Sequence, residues 1–241
     1  MTYDEKQMAY LTGIPVTIKG GLKIYSVPLR DIWNYGYNKY IAIVSAICIE
    51  KDELGGLFPD INTNDINALD FIIANIIYNK NDGKNFKAVM SMLLHGDVIC
   101  NIEKNRIDIG SSSITRDNIE EFQEIVRDRN LISTEETHEN PANEKARRIL
   151  ERSRELKKRR RNADGNDSGM TFADIISITS AKFGKAISEI GEYDIWQLND
   201  QLARLKTFDD YEVGYQALLH GAKKEDVDLK HWIDKNINLF E

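Results

Sequence analysis

A short basic segment divides this chain into two acidic parts, and this pattern constrains its architecture more than any other feature. Residues 143–162 contain ten basic and three acidic residues, a net charge of +7. Residues 1–142 contain 14 basic and 21 acidic residues, and residues 163–241 contain eight and 15, so each part has a net charge of −7. The overall balance, with a pI near 5.3, hides this asymmetry. The pattern predicts two acidic domains joined by a basic connection.

The basic segment has the composition of a helix. It consists of strong helix formers without internal Gly or Pro, and Pro141 and Gly165 stand where helix boundaries are expected. Its apolar stripe is too thin to bury much surface, so residues 133–169 are interpreted as a solvated helical linker. The basic side chains that could bind an acidic face of this chain or an acidic partner are Arg147, Arg148, Lys157, Lys158, Arg159, Arg160 and Arg161.

Residues 1–132 show the pattern of an α+β domain with two short hairpins. Alternating apolar residues on both sides of Gly20 and Gly21 predict the first hairpin, because two glycines accept the positive φ angles of a tight turn. A second hairpin is predicted over residues 98–109. Apolar residues at helical spacing predict helices between these elements and after them, over residues 38–54, 66–77, 86–94 and 119–126, with Thr115 as the N-cap of the last.

Residues 170–241 show the pattern of a small all-α domain. Thr171 and Asp174 have the spacing of a capping box, and the helical spacing of apolar residues over 195–205 is repeated over 208–218, so three or four short amphipathic helices are predicted for the domain. The predicted fold class is therefore mainly α with short β-hairpins: an α+β domain, a basic helical linker and an all-α domain.

Chemical motifs that would identify an enzyme are missing from the sequence. The four histidines and two cysteines have no metal-ligand spacing, and the phosphate-loop and nucleophile-elbow patterns fail. We therefore predict no catalytic site, no metal and no cofactor. No apolar run is long enough for a membrane span, and the polar N-terminus does not have the pattern of a signal peptide. These features predict a location in the cytoplasm.

Aromatic residues offer candidate partner-binding positions in both domains. They can simply fill the cores, or they can line grooves for amphipathic helices. The candidates in the first domain are Trp33, Tyr37 and Tyr40, and those in the last domain are Trp196 and Trp232, together with the aliphatic Leu229. The basic linker could instead bind nucleic acid, but it has no interleaved aromatics and its acidic flanks oppose the approach of a phosphate backbone.

Three stretches carry a resemblance to a known class of proteins. They are residues 24–40, with Ile24-Tyr25-Ser26-Val27-Pro28-Leu29; residues 107–119, with Ile114-Thr115-Arg116-Asp117-Asn118-Ile119; and residues 193–233, with Tyr193-Asp194-Ile195-Trp196-Gln197-Leu198 and Asp228-Leu229-Lys230-His231-Trp232-Ile233. Together they resemble tail-module proteins of phages and prophages of Gram-positive bacteria, and most of all the tail assembly chaperones.

The resemblance implies a binding protein in the cytoplasm of a bacterial host. Its partners would be the tape-measure protein, a long helical protein whose apolar stripes it would keep soluble, and the tail-tube protein, whose subunits it would help to recruit. Two alternatives stay open at this point. The chain could be a structural protein of the tail or baseplate that remains in the virion, or a nucleic-acid-binding regulator that acts through the basic linker.

Overall fold

The computed structural model describes residues 2–50, 67–79, 82–132 and 171–223, together with Val227, Leu229, residues 231–234 and Leu239. Residues 1–132 and 179–241 form one compact unit, and residues 133–178 form another. The basic linker side chains from Arg147 to Arg161 lie outside the described residues. The domain boundaries after residues 132 and 169 stay a prediction.

The N-terminal part alternates helices with two small antiparallel sheets. The strand Val16–Thr17 pairs with Lys23–Ile24, and Val98–Asn101, Arg106–Ile109 and Ser112–Ile114 form a second sheet in that order. The elements in chain order are α1 (Tyr3–Thr12), β1 (Val16–Thr17), β2 (Lys23–Ile24), α2 (Leu29–Tyr35), α3 (Tyr37–Ile47), α4 (Ala68–Tyr78), α5 (Asp82–Leu94), β3 (Val98–Asn101), β4 (Arg106–Ile109), β5 (Ser112–Ile114) and α6 (Ile119–Asn130).

The C-terminal part is helical throughout its described residues. Thr171 and Asp174 exchange backbone-to-side-chain hydrogen bonds of 3.1 and 2.9 Å, so the predicted capping box is present. The elements are α7 (Phe172–Phe183), α8 (Ile187–Ile190), α9 (Ile195–Leu219) and a 3-10 turn (Trp232–Asp234). The fold class, mainly α with short hairpins, is confirmed.

Three local predictions need correction. The helix expected over residues 38–54 ends at Ile47, where Cys48 caps it. Asn118 rather than Thr115 directly precedes α6, and Thr115 caps the turn before it, where its hydroxyl accepts a 3.3 Å hydrogen bond from the Asp117 N–H. The C-terminal helices were all expected to be short, but residues 195–219 form one 25-residue helix, α9, since no residue between Leu205 and Phe208 favours a break.

The N-terminal core lies where α3 packs against α5 and α6. Tyr40 and Phe122 are among its largest fully buried side chains. The Tyr40 hydroxyl donates a 2.9 Å hydrogen bond to Asn130 Oδ1, and the Gln123 amide donates to the carbonyls of Ile47 and Ile49 at 2.8 and 3.0 Å. Because the last carbonyls of a helix have no partner inside it, Gln123 satisfies the end of α3 and fixes α6 against it.

Candidate functional site

The start of α2 forms hydrogen bonds with the loop between α8 and α9. Pro28 precedes α2 and provides no side-chain cap, so the first N–H groups of this helix need other acceptors. The Leu29 N–H donates to the Tyr193 carbonyl at 2.7 Å, and the Arg30 N–H donates to the Gly191 carbonyl at 3.0 Å. The N-terminal part and the C-terminal helices are thus joined by hydrogen bonds that neither could complete alone.

Trp33 packs directly against the backbone of Gly191. A Cβ atom at position 191 would lie 2.7 Å from Cη2 of the Trp33 ring, closer than side chains tolerate. Glycine is therefore required here for space, since its φ of −60° is accessible to any residue. This contact places Trp33, a predicted partner-binding residue, against the chain's own C-terminal helices.

A buried ion pair joins α6 to the start of α9. Arg129 and Asp194 have side chains only 2% and 4% exposed, and Nη1 of Arg129 lies 3.4 Å from Oδ2 of Asp194. Nη2 of Arg129 donates to the Ile14 carbonyl, and its guanidinium stands 4.9 Å from the centre of the Tyr10 ring. Burial raises the pKa of Asp194 to about 6, although the charge of Arg129 opposes the shift.

Asp194 has a second role as the N-cap of α9. Its Oδ1 accepts a 2.8 Å hydrogen bond from the Gln197 N–H, and Oε1 of Gln197 accepts one of 2.9 Å from the Asp194 N–H. The Gln197 amide also donates to the Leu11 carbonyl near the end of α1 at 2.9 Å. One carboxylate therefore starts α9 and holds it against the N-terminal part.

Two further predicted partner-binding residues belong to the core. Tyr40 is fully buried, and Trp196 is buried with its ring edge-on to Tyr10 at 5.9 Å. Tyr37 is half-buried, and desolvation raises the pKa of its hydroxyl. The structure thus places Trp33, Tyr37 and Tyr40 on neighbouring helices without forming an open aromatic groove from them.

The second half of α9 differs from the first. The buried residues of α9 all lie in its first two turns. They are Ile195, Trp196, Leu198 and Asp200. Phe208, Tyr215 and Leu219 are exposed further along the helix. Tyr215 lies seven residues after Phe208 and Leu219 eleven, which is about two and three helical turns. These three residues share one face and are called the distal stripe below. Helix α9 is thus fixed by its N-terminal turns and exposes an apolar face along its C-terminal half.

The chain after α9 returns along one side of the distal stripe. Gly214 leaves space for Val227 and Leu229, whose methyl carbons would lie 3.1 and 3.2 Å from a Cβ at that position. The Trp232 ring packs edge-on to Phe208 at 5.8 Å and remains 39% exposed. Leu229 and Trp232, both predicted partner-binding residues, therefore lie beside the distal stripe.

A family model matches this part of the chain. Residues 158–237 match the YomV second domain. The similarity is limited to this part of the chain and indicates a relation to phage proteins. A search of curated proteins and a search of solved structures found no significant match. The YomV-like region, residues 158–237, includes α7, α8, α9 and the Trp232 turn, and thus both Asp194 and the distal stripe.

A cleft of about 330 Å³ lies outside the YomV-like region, beside α4 and α6. Its two arginines are already paired, Arg116 with Asp70 at 2.9 Å and Arg127 with Glu50 at 3.3 Å. The cleft therefore offers a ligand little positive charge. Its lining residues are Ile49, Glu50, Asn67, Ala68, Arg116, Ile119, Glu120, Gln123 and Arg127.

Neither a metal-binding cluster nor a membrane-spanning helix is present among the described residues. Within them, no group of three or more His, Cys, Asp or Glu side chains could hold a metal ion. Cys48 is free and buried, and burial raises the pKa of its thiol to about 12, so it packs as an apolar group. None of the described helices is long and apolar enough to cross a bilayer.

Sequence reasoning missed the residues that join the two parts of the chain. Neither the burial of Arg129 nor the capping role of Asp194 was predicted. The Asp194-x-x-Gln197 spacing is a capping-box signal, and it could have placed the start of α9. No sequence signal pairs Arg129 with Asp194, since the two are 65 residues apart.

Proposed function

We propose that this chain is a phage tail assembly chaperone that binds the helical tape-measure protein through the distal stripe of α9, without catalysis. The observation that carries the proposal is the exposure of Phe208, Tyr215 and Leu219 on one face of a helix whose first turns are fixed by Trp196 and Asp194. Rigid support of an exposed apolar face is what a helix-binding surface needs. The YomV-like region supports a phage context, and the tail-module resemblance supplies the partner.

The distal stripe is suited to keeping a tape-measure protein soluble. A tape-measure protein is a long helix with apolar stripes, which associate with one another until the tail-tube protein encloses them. The distal stripe would cover a short length of such a helix, and the acidic composition of the chain would keep the complex soluble. Each contact should be weak, because the chaperone must leave as the tube protein polymerises in the host cytoplasm. Recruitment of tube subunits would fall to another surface.

Co-expression with the tape-measure protein of the same phage gene cluster tests this function. The chain should keep that protein in the soluble fraction and co-purify with it. Leu219→Lys should lower the co-purified amount about tenfold or more, because it places a charge within the apolar contact. The measurement is the ratio of the two proteins in the eluate.

Val213→Lys is the matched control. Val213 lies on the same helix and is 68% exposed, against 64% for Leu219, but it stands about 140° around the helix from Phe208. It should therefore co-purify like the unmodified chain. Equal loss in both variants, or a tape-measure protein that stays insoluble with the unmodified chain, contradicts the proposal. Detection of the chain in purified virions by mass spectrometry would favour the structural role instead.

A further inference from the structure

The distal stripe is bordered by two chemically different edges. The returning segment covers one side, where Trp232 packs on Phe208 and His231 lies 4.9 Å from the Tyr211 ring. Asp209 and Glu212 stand on the other side, about 100° and 40° around the helix from Phe208. Glu212 therefore lies immediately beside the apolar face.

The acidic edge keeps an excess of negative charge. Residues 207–219 contain three carboxylates and no Lys or Arg. Lys182 at the end of α7 reaches this edge, and its Nζ lies 2.8 Å from Oδ1 of Asp209. The hydrogen bond to Asp209 and, more weakly, the charge of Glu212 raise the pKa of Lys182. Lys182 thus pairs with Asp209, while no salt bridge to Glu212 is present among the described residues, so this carboxylate stays unpaired beside the stripe.

We infer that the distal stripe selects amphipathic helices that carry Lys or Arg along the edge meeting Glu212. The inference rests on the proposed function and specifies the partner's chemistry. From Phe208 to Leu219 the stripe extends about 16 Å, which matches about three turns of a partner helix. Apolar anchors on that helix supply the affinity, and its flanking charge decides which helices are accepted. An acidic flank would place like charges against Glu212 and Asp209.

Three synthetic helical peptides of about 18 residues test the inference on the full chain. All carry the same leucine stripe, and the positions flanking it are Lys, Gln or Glu. The unmodified chain should bind the Lys peptide about threefold more tightly than the Gln peptide, and the Glu peptide most weakly, because exposed ion pairs contribute little more than that. Titration calorimetry at low salt measures the three affinities, and the differences should vanish near 1 M salt.

Charge reversal at one position distinguishes an effect of Glu212 from an effect of the protein's overall negative charge. Glu212→Lys should invert the order of the three peptides. Asp210→Lys makes the same charge change at an exposed position of the same helix, about 200° from Phe208, and should leave the order unchanged. Equal inversion by both variants would mean that the net charge of the protein sets the preference, which overturns the inference.

The remaining outcomes test the charge selection separately from the proposed helix-binding function. If all three peptides bind equally and Leu219→Lys abolishes binding, the charge selection is overturned while the helix-binding role of the stripe stands. If no peptide binds, both are overturned. Concentration-dependent sedimentation of the free chain that disappears in Leu219→Lys would make a second copy of this chain the occupant, and would also overturn the inference.

Discussion

Replacing Arg129 with alanine should lower the free energy of unfolding by about 3–5 kcal/mol, since it leaves a buried carboxylate without its partner. The guanidinium pairs with Asp194, donates to the Ile14 carbonyl and stacks over Tyr10, and both charged side chains are almost fully buried. Its loss should raise the pKa of Asp194 further above its ordinary range. Urea denaturation followed by far-UV circular dichroism measures the change.

Arg30→Ala is the matched control for Arg129. Arg30 also joins the N-terminal part to the C-terminal helices, through an ion pair with Glu192, but both side chains are about half exposed. Its backbone bond to Gly191 survives the substitution. The expected loss is therefore below about 1 kcal/mol. Similar losses for the two variants would show that burial of the Arg129 pair does not govern this contact.

Trp196→Ala should cost about 3–5 kcal/mol of stability, because it opens a large cavity where α9 meets α1. The Trp196 ring is buried and packs edge-on to Tyr10. The measurement is again the urea midpoint, with near-UV circular dichroism reporting the loss of fixed aromatic packing. This result would assign Trp196 to the core and not to a partner surface.

Trp232→Ala should have a small effect on stability and a large effect on binding, the opposite of Trp196→Ala. The Trp232 ring is partly exposed and makes an edge contact with Phe208, so its removal should cost only about 0.5–1.5 kcal/mol. It should nevertheless reduce co-purification of the tape-measure protein, since the ring borders the distal stripe. The assignment of Trp196 to the core would be wrong if Trp196→Ala stayed fully stable. The assignment of Trp232 to the edge of the stripe would be wrong if Trp232→Ala unfolded the chain.

The local structure of this chain could be predicted where a short pattern determined it. Gly20 and Gly21 have φ angles of +86° and +73°, and the hairpin around them is present as expected. The apolar stripe before Gly96 became α5. Helix α1 was missed although Thr2 and Glu5 form a capping box, because its weakly apolar sequence offers no clear stripe.

Long-range features could not be predicted in the same way. The third strand β5 pairs with β4 through only three residues, too few to show an alternating pattern. Gly214 suggested no special role until the returning segment was seen against it. The exposed or buried state of each aromatic residue depends on contacts such as Trp33 with Gly191, and spacing along the chain carries no information about them.

The anchoring of α9 explains how one helix can serve two purposes. Its first turns complete the hydrogen bonds and ion pair of the N-terminal part, through Asp194 and Gln197. Because those contacts hold the helix in place, the later turns need no burial of their own and can present Phe208, Tyr215 and Leu219 to another polypeptide. Stability and binding are thereby assigned to different ends of the same element.

Hydrogen–deuterium exchange of the chain with and without its co-purified tape-measure protein tests the helix-binding role most directly. Amides of residues 207–219 and 231–234 should exchange more slowly in the complex, while those of α2 and α3, which contain Trp33, Tyr37 and Tyr40, should be unchanged. Slower exchange confined to α2 and α3, with no change over the second half of α9, would contradict a partner site on the distal stripe.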